Sequence, residues 1–224
     1  ENPLDMEFAK KLVGEGMEDE NISIIDTPSY ENLYSFVMSQ VDGVIAGSAS
    51  VDPSLLEKAK ALIEKSPASA EAKNYVMAMI EYHVYMSFVE YPVMYASVRG
   101  VPVQEQEIGD YWSIMDGYVV REDAESMNCS EYASFLMRYC FYLNEKAAKA
   151  KGEEYAMPTV MEDMYKEIAA CYDGAPRDFV LYTLLRNFIL NGREIERADV
   201  LYKDYVEKYN NNAFYKSILD MLMQ

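Results

Sequence analysis

Three cysteines are the residues whose possible chemistry depends most on their spacing. Cys129 and Cys140 lie eleven residues apart in "NCSEYASFLMRYCF", and Cys171 follows later in the chain. On a helix, eleven residues return a side chain to the same face but separate the two positions by about 16 Å. A disulfide needs Cα atoms within about 7 Å, so Cys129 and Cys140 can neither bridge each other nor share one zinc ion. Cys171 can meet either one only through tertiary packing, and the chain has no CxxC motif.

Cys129 has one alternative interpretation. It is predicted at about the first position of a helix, where backbone N–H groups and the helix dipole lower the pKa of a thiol. Glu125 and Glu131 are close in sequence and oppose a thiolate. A lone cysteine in a helical domain is typically a small buried apolar residue. We therefore expect Cys129, Cys140 and Cys171 to have a structural role and not a catalytic one.

His83 is the only histidine, so any Ser-His-Asp or Cys-His device would have to use it. It lies in the apolar stretch "MIEYHVYMSFVEY", where Glu81 and Glu90 are wrongly spaced for a ligand pair. The motifs of a nucleophile elbow, an H-E-x-x-H zinc site, a calcium loop and a phosphate loop are missing. We assign no catalytic, cofactor-binding or metal-binding residue.

Carboxylates crowd three stretches, at 17–21, 105–107 and 121–126. Such runs are typical of solvated turns and helix ends. A glycosidase-like hydrolase would need two acids facing each other across a cleft, and the region 105–125 is the candidate for that alternative.

Tyrosine is unusually frequent, with 20 residues. The spacing of two groups indicates helical stripes that pack in a core with the hydroxyl at the rim. The alternative is a tyrosine-lined groove that binds a peptide or glycan, since tyrosine anchors interfaces well. The two groups are Tyr75, Tyr82, Tyr85, Tyr91 and Tyr95, and Tyr132, Tyr139 and Tyr142.

Helix start and stop signals predict about nine helices. Pro28 and Pro53 are first helical residues behind the N-cap residues Thr27 and Asp52, and the second of these helices ends before Pro67. The next helix is predicted to open at Ser66–Pro67, and its apolar residues run from 70 to about 99 with a kink at Pro92. Later boundaries are predicted by a shorter helix closing near Gly117, capping boxes at Asn128–Glu131 and Thr159–Glu162, helix stops at Gly152 and Gly192, a start at Pro176 and a break at the asparagine triplet 210–212.

The predicted fold class is all-α, an irregular bundle or a degenerate array of antiparallel helical hairpins. Residues 1–224 are expected to form a single helical domain, with 1–26 as a candidate end of a preceding module. The only strand pattern is at 21–25. A formal net charge of −18 argues against binding to nucleic acid or to an anionic membrane surface, and no apolar run is long enough to cross a bilayer.

Two stretches resemble a known family. "LYKDYVEKYNNNAFYKSILDML" and "YWSIMDGYVVREDAESMNCSEYASFLMRYCFYLNEKA" are similar to the helical region that precedes the thioredoxin module in envelope-anchored bacterial thioredoxin-like (TlpA-like) thiol–disulfide oxidoreductases. The first of them fits the pattern Y-x-x-[FY]-[VIL]-x-K-Y-x-x-[SN]-x-[FY]. The resemblance covers about residues 105–224.

The resemblance implies that this chain is the non-catalytic part of such a protein, because it lacks the CxxC motif of the redox module. It implies a scaffold that positions a redox domain or docks client proteins in the periplasm or cell envelope. The expected partner is another protein or an adjoining thioredoxin-like module, and the chain itself is not expected to be an enzyme. The alternatives remain the free-standing tyrosine-lined binding protein and the carboxylate-dependent hydrolase.

Overall fold

The computed structural model describes residues 54–105 and 112–224, and this part of the chain is helical without a strand. The all-α prediction is therefore confirmed for the described residues. The predicted helix behind Pro28, the strand at 21–25 and the module end at 1–26 lie outside them. Seven α-helices are described: α1 Ser54–Lys65, α2 Ala70–Arg99, α3 Ser130–Lys151, α4 Met161–Cys171, α5 Gly174–Leu190, α6 Ile195–Lys208 and α7 Ala213–Leu222.

Contacts divide the described residues into two compact units. The first contains 54–84 and Asp123–Cys129; the second contains 85–105, 112–122 and Ser130–Gln224. In the first unit, α1 buries one apolar face, and α2 begins behind Ser69, whose Oγ accepts the N–H of Ala72 at 3.2 Å. The buried face of α1 consists of Leu56, Ala59 and Ile63.

Helix α5 is the centre of the second unit. It contacts α3, α4, α6 and α7, and side chains are buried on nearly all of its sides. A helix that is apolar all round must be enclosed by other elements, and "FVLYTLLRNFIL" has this character. The sequence of α5 therefore requires its central place, and the amphipathic helices α4, α6 and α7 cover it.

The predicted glycine stops are confirmed. After α5, the N–H of Gly192 binds the carbonyl of Ile189 and the N–H of Arg193 binds that of Phe188, both at 3.0 Å. Gly192 has φ +63°, and Gly152 ends α3 in the same way with φ +70°. This is the Schellman arrangement, in which a left-handed residue turns the chain and satisfies the last carbonyls.

Both predicted capping boxes are wrong. Helix α3 begins at Ser130, because Asn128 closes a short 3₁₀ turn instead. Helix α4 begins at Met161 with Val160 at its N-cap, where no side-chain cap forms. Glu162 instead pairs with Lys166 at 2.7 Å and with Arg197 at 3.1 Å. Lys166 and Arg197 compete with backbone N–H groups for the carboxylate of Glu162. A capping-box pattern contains no information about such cations.

The shorter helix predicted to close near Gly117 is not an α-helix where it is described. Residues 112–117 form a 3₁₀ turn and hydrogen-bonded turns, and Gly117 has φ +81°. Helix α2 begins at Ala70 and not at the predicted Ser66–Pro67, and it continues through Pro92 to Arg99.

The asparagine triplet divides the last two helices, as predicted. Asn212 is the N-cap of α7, and its Oδ1 accepts the N–H of Phe214 at 2.9 Å. The buried carboxylate of Asp178 on α5 holds this turn: its Oδ2 accepts the N–H groups of Asn211 and Asn212 at 2.8 and 2.9 Å. Its Oδ1 accepts the hydroxyl of Tyr205.

Candidate functional site

An aromatic cluster in the second unit is formed by α3 and the segment 112–118. The ring of Tyr118 lies edge-on against Phe135 and Tyr139, with centroid distances of 5.4 and 5.2 Å. Trp112 stacks on Tyr142 at 5.7 Å. Edge-on and offset arrangements are those that aromatic rings prefer. The cluster thus has the geometry of a packed core.

The tyrosine hydroxyls of this cluster bind the segment before α3. The hydroxyl of Tyr132 accepts the N–H of Arg121 at 2.8 Å and shares a hydrogen bond with the hydroxyl of Tyr118 at 2.7 Å. The hydroxyl of Tyr142 donates to the carbonyl of Trp112 at 3.0 Å. Burial raises the pKa of Tyr142 above its ordinary value, so this hydroxyl stays neutral and keeps its proton for donation.

The packing interpretation fits the tyrosines of α3, which are all buried. In the other predicted group, Tyr75, Tyr82 and Tyr85 are partly buried and Tyr91 is exposed. Among the aromatic side chains that the structure describes, the exposed ones are Tyr91 on α2 and Phe214 on α7.

The carboxylates of the stretch 121–126 serve as turn partners in the first unit. Asp123 accepts the N–H and hydroxyl of Ser126 at 2.9 and 2.8 Å, and Glu125 accepts the amide of Asn74 at 3.4 Å. In the second unit, Asp116 pairs with Lys146. The cluster at 17–21 lies outside the described residues.

His83 is partly buried on α2, and Glu81 beside it is buried. Within residues 54–105 and 112–224, no group of three or more His, Cys, Asp or Glu side chains is arranged to hold a metal ion. None of the helices described there combines the length and apolar character needed to cross a membrane.

A buried charge cluster was not predicted from the sequence. The guanidinium of Arg138 binds Glu90 through Nε at 2.9 Å and Glu145 through Nη2 at 3.2 Å. Burial raises the pKa of Glu145, although the charge and hydrogen bond of Arg138 act in the opposite direction. The Nη1 atom of Arg138 is buried and has no hydrogen-bond partner among the described residues. The sequence signal for this cluster is the i, i+7 spacing of Arg138 and Glu145, which places both side chains on one face of a helix.

Cys129 is fully buried and directly precedes α3. Its backbone is extended, and its N–H binds the carbonyl of Ser126 at 3.1 Å. The predicted first helical position is therefore wrong by one residue. Complete burial agrees with the interpretation of Cys129 as a small apolar side chain.

Cys140 and Cys171 are brought together by the packing of α3 against α4. Neither takes part in a disulfide, and each thiol shifts the pKa of the other. The neighbouring Cys171 thiol, followed by burial, raises the pKa of Cys140. The Cys140 thiol in turn lowers the pKa of Cys171 despite partial burial. Sequence reasoning left open which thiol Cys171 would meet.

Glu167 is a further member of this site that sequence reasoning missed. Its Oε2 accepts the amide of Asn144 at 2.8 Å and the hydroxyl of Tyr155 at 2.6 Å. Burial, followed by the bond to Glu167, raises the pKa of Tyr155. The spacing of Cys140 with Asn144, and of Glu167 with Cys171, places each pair on one helix face, but only the pairing of the two helices unites them.

An open cavity of about 650 Å³ lies at the start of α6, lined by Gly192, Glu194, Ile195, Glu196, Arg197 and Val200. Glu194 precedes α6 in a left-handed conformation with φ +50°. Acidic side chains and an arginine share the lining with exposed apolar Ile195 and Val200.

Two large apolar side chains are exposed on α7. Phe214 and Met221 keep 64% and 66% of their surface accessible. They are seven residues apart, so they lie on one face of the helix. Tyr215 and Leu219 form its buried face.

No protein-family model matches this chain, and neither does any curated protein or solved structure with which it was compared. Arguments about function therefore rest on the residues and their contacts, and on the resemblance of the two stretches quoted above to the thioredoxin-like family.

Proposed function

We propose that this chain is a non-catalytic helical interaction module. Its helices form an irregular bundle of antiparallel hairpins that contacts an adjoining thioredoxin-like module or another protein. The motif resemblance supports the partner class, and with it a location in the periplasm or cell envelope.

The exposed apolar face of α7 carries the proposal. The motif resemblance includes aromatic residues at several positions, and most of them are explained by packing: Tyr205, for example, is fully buried. Phe214, the last aromatic residue of that pattern, is instead exposed. Together with Met221 it offers an apolar surface to a partner, and Met and Phe are enriched in the cores of interfaces.

The internal use of the polar side chains also supports a non-catalytic role. Tyr132 and Tyr142 bind backbone groups, Asp123 caps a turn and Asp178 holds the asparagine triplet. None of these side chains lines the cavity at the start of α6, where a catalytic carboxylate would be available to a substrate.

A titration tests this proposal. The coding sequence on both sides of residues 1–224 is determined, and a CxxC-bearing module found there is used as the partner; otherwise a soluble TlpA-like module is used. The ¹⁵N-labelled chain is titrated with the partner, and we expect resonance changes in α7. The double variant Phe214→Ser, Met221→Ser should weaken binding at least about tenfold, corresponding to about 1.4 kcal/mol.

Glu207→Gln is the matched control, because Glu207 is an exposed side chain of the neighbouring helix α6. Its binding should equal that of the original chain. Absence of any resonance change on titration would refute the thioredoxin-like partner. Unchanged binding of the double variant would refute the role of α7.

A further inference from the structure

Two hydrogen bonds fix the register between α3 and the end of α4. The hydroxyl of Tyr172 donates to the carbonyl of Leu136, and the amide of Asn144 donates to Glu167. From Leu136 to Asn144 along α3, the partner residue changes from Tyr172 back to Glu167, so the two segments run antiparallel. Cys140 lies one helical turn from both Leu136 and Asn144. The register therefore places Cys140 opposite the last turn of α4, which ends at Cys171.

The two thiols differ in access to solvent. Cys140 is completely buried in the middle of α3, whereas Cys171 is partly exposed as the last residue of α4. An incoming molecule can therefore reach Cys171 first. The neighbouring thiol of Cys140 lowers the pKa of the Cys171 thiol, while partial burial and the charge of Glu167 oppose this effect.

We propose that Cys140 and Cys171 form a redox-active dithiol site, whose substrate is a small-molecule disulfide and whose attacking thiol is that of Cys171. The proposal goes beyond the interaction module described above and does not depend on it. Two thiols that face each other at a fixed register, one buried and one accessible, are the arrangement needed for an attacking and a resolving cysteine.

The reaction proceeds in two exchanges. The thiolate of Cys171 attacks one sulfur of the disulfide R–S–S–R, forming a mixed disulfide and releasing RS⁻, which takes up a proton. Cys140 then loses its proton, and its sulfur attacks the Cys171 sulfur of the mixed disulfide, releasing the second RS⁻. In sum, two protein thiols become one disulfide, and R–S–S–R is reduced to two R–SH.

Packing alone is the competing explanation, since buried cysteines often act as small apolar residues. It predicts slow and unselective modification of each thiol. The dithiol site predicts an ordered reaction that begins at Cys171 and ends in a bond between two defined residues. Cys129 is buried in the first unit and provides an internal comparison.

The test uses the full chain, fully reduced and then incubated with a series of glutathione–glutathione disulfide mixtures. Remaining thiols are alkylated, and intact mass and peptide mapping are measured. We expect a product that has lost two hydrogens and contains a peptide pair linked through Cys140 and Cys171. The variant Cys140→Ser should accumulate a glutathione adduct on Cys171, because the resolving thiol is missing.

Two further variants complete the experiment. Cys171→Ser should leave Cys140 unmodified, since Cys140 is buried, and Cys129→Ser should behave like the original chain. Far-UV circular dichroism checks each fold, and alanine replaces serine wherever a serine variant unfolds. The proposal is overturned if the two thiols stay reduced, if each carries its own adduct, or if the disulfide contains Cys129.

Discussion

The guanidinium of Arg138 binds two carboxylates in the interior of the second unit. It donates to Glu90, which is one-third exposed, and to Glu145, which is almost fully buried. Breaking a buried ion pair by removing one partner leaves an uncompensated charge, which is more costly than the pair itself. The cost of removing Arg138 therefore comes mainly from Glu145, whose buried carboxylate would lose its cationic partner.

Arg138→Met should lower the free energy of unfolding by about 3–5 kcal/mol at neutral pH. An acid whose pKa is raised in the folded state contributes most below its unfolded value and loses this contribution as the pH rises through the folded value. Burial raises the pKa of Glu145 above 4.5, and removing Arg138 deletes two effects that lower it. The deficit of the variant should therefore shrink as the pH falls from about 7 to about 5. Urea unfolding at both pH values measures it.

Lys166→Met is the matched control, because the pair of Lys166 with Glu162 is largely exposed. Its cost should stay below about 1 kcal/mol at both pH values. A deficit of Arg138→Met that is independent of pH would contradict the role given to Glu145.

At the scale of elements, the junction between α6 and α7 depends on α5. The N–H groups of Asn211 and Asn212 have no helical carbonyl as acceptor at this turn. The carboxylate of Asp178 accepts both of them instead. The N–H groups at the start of a helix require an outside acceptor. An acid on the central helix therefore stabilises the turn from which α7 begins.

Asp178→Ala should lower the free energy of unfolding by about 3 kcal/mol or more, since it leaves several polar groups without an acceptor. Tyr205→Phe is the graded control: it removes the hydroxyl that donates to Asp178 and accepts the amide of Asn210, but it keeps the carboxylate, and it should cost about 1–2 kcal/mol. Chemical unfolding of both variants gives the comparison. Equal costs for the two would show that the backbone contacts of Asp178 contribute little.

At the scale of the whole molecule, net charge is the dominant electrostatic feature. The chain carries 38 acidic and 20 basic side chains, with a formal net charge of −18. Local ion pairs such as Lys203–Asp199 reduce the repulsion only where cations are present. Excess charge of one sign destabilises a compact state by self-repulsion.

We expect the melting temperature to rise when sodium chloride is increased from about 10 mM to about 1 M, because the Debye length falls from about 30 to about 3 Å. A variant with four exposed acids neutralised should show a smaller rise; these are Glu122→Gln, Glu153→Gln, Glu154→Gln and Glu207→Gln. Calorimetric melting with sodium and potassium chloride makes the measurement. A melting temperature that falls with salt would mean that attractive pairs outweigh the repulsion.

The sequence by itself determined the features that depend on neighbours along the chain. Gly152, Gly192 and the asparagine triplet 210–212 mark element boundaries because turns and left-handed residues follow local backbone preferences. Apolar periodicity likewise determined the helical class. Helix starts also depend on contacts beyond the local pattern, since Glu162 pairs with Lys166 and Arg197 and not with the backbone of a capping box.

Only the tertiary structure decided which side chains meet across helices. The pairing of Cys140 with Cys171 joins residues on two helices, and the contact of Asp178 with Asn212 spans more than thirty residues. Each helix face was readable from spacing, whereas the choice of partner helix, its direction and its register depend on packing the entire core around α5. For that reason, the spacing of the cysteines is readable in the sequence, whereas only the fold brings Cys140 opposite the end of α4.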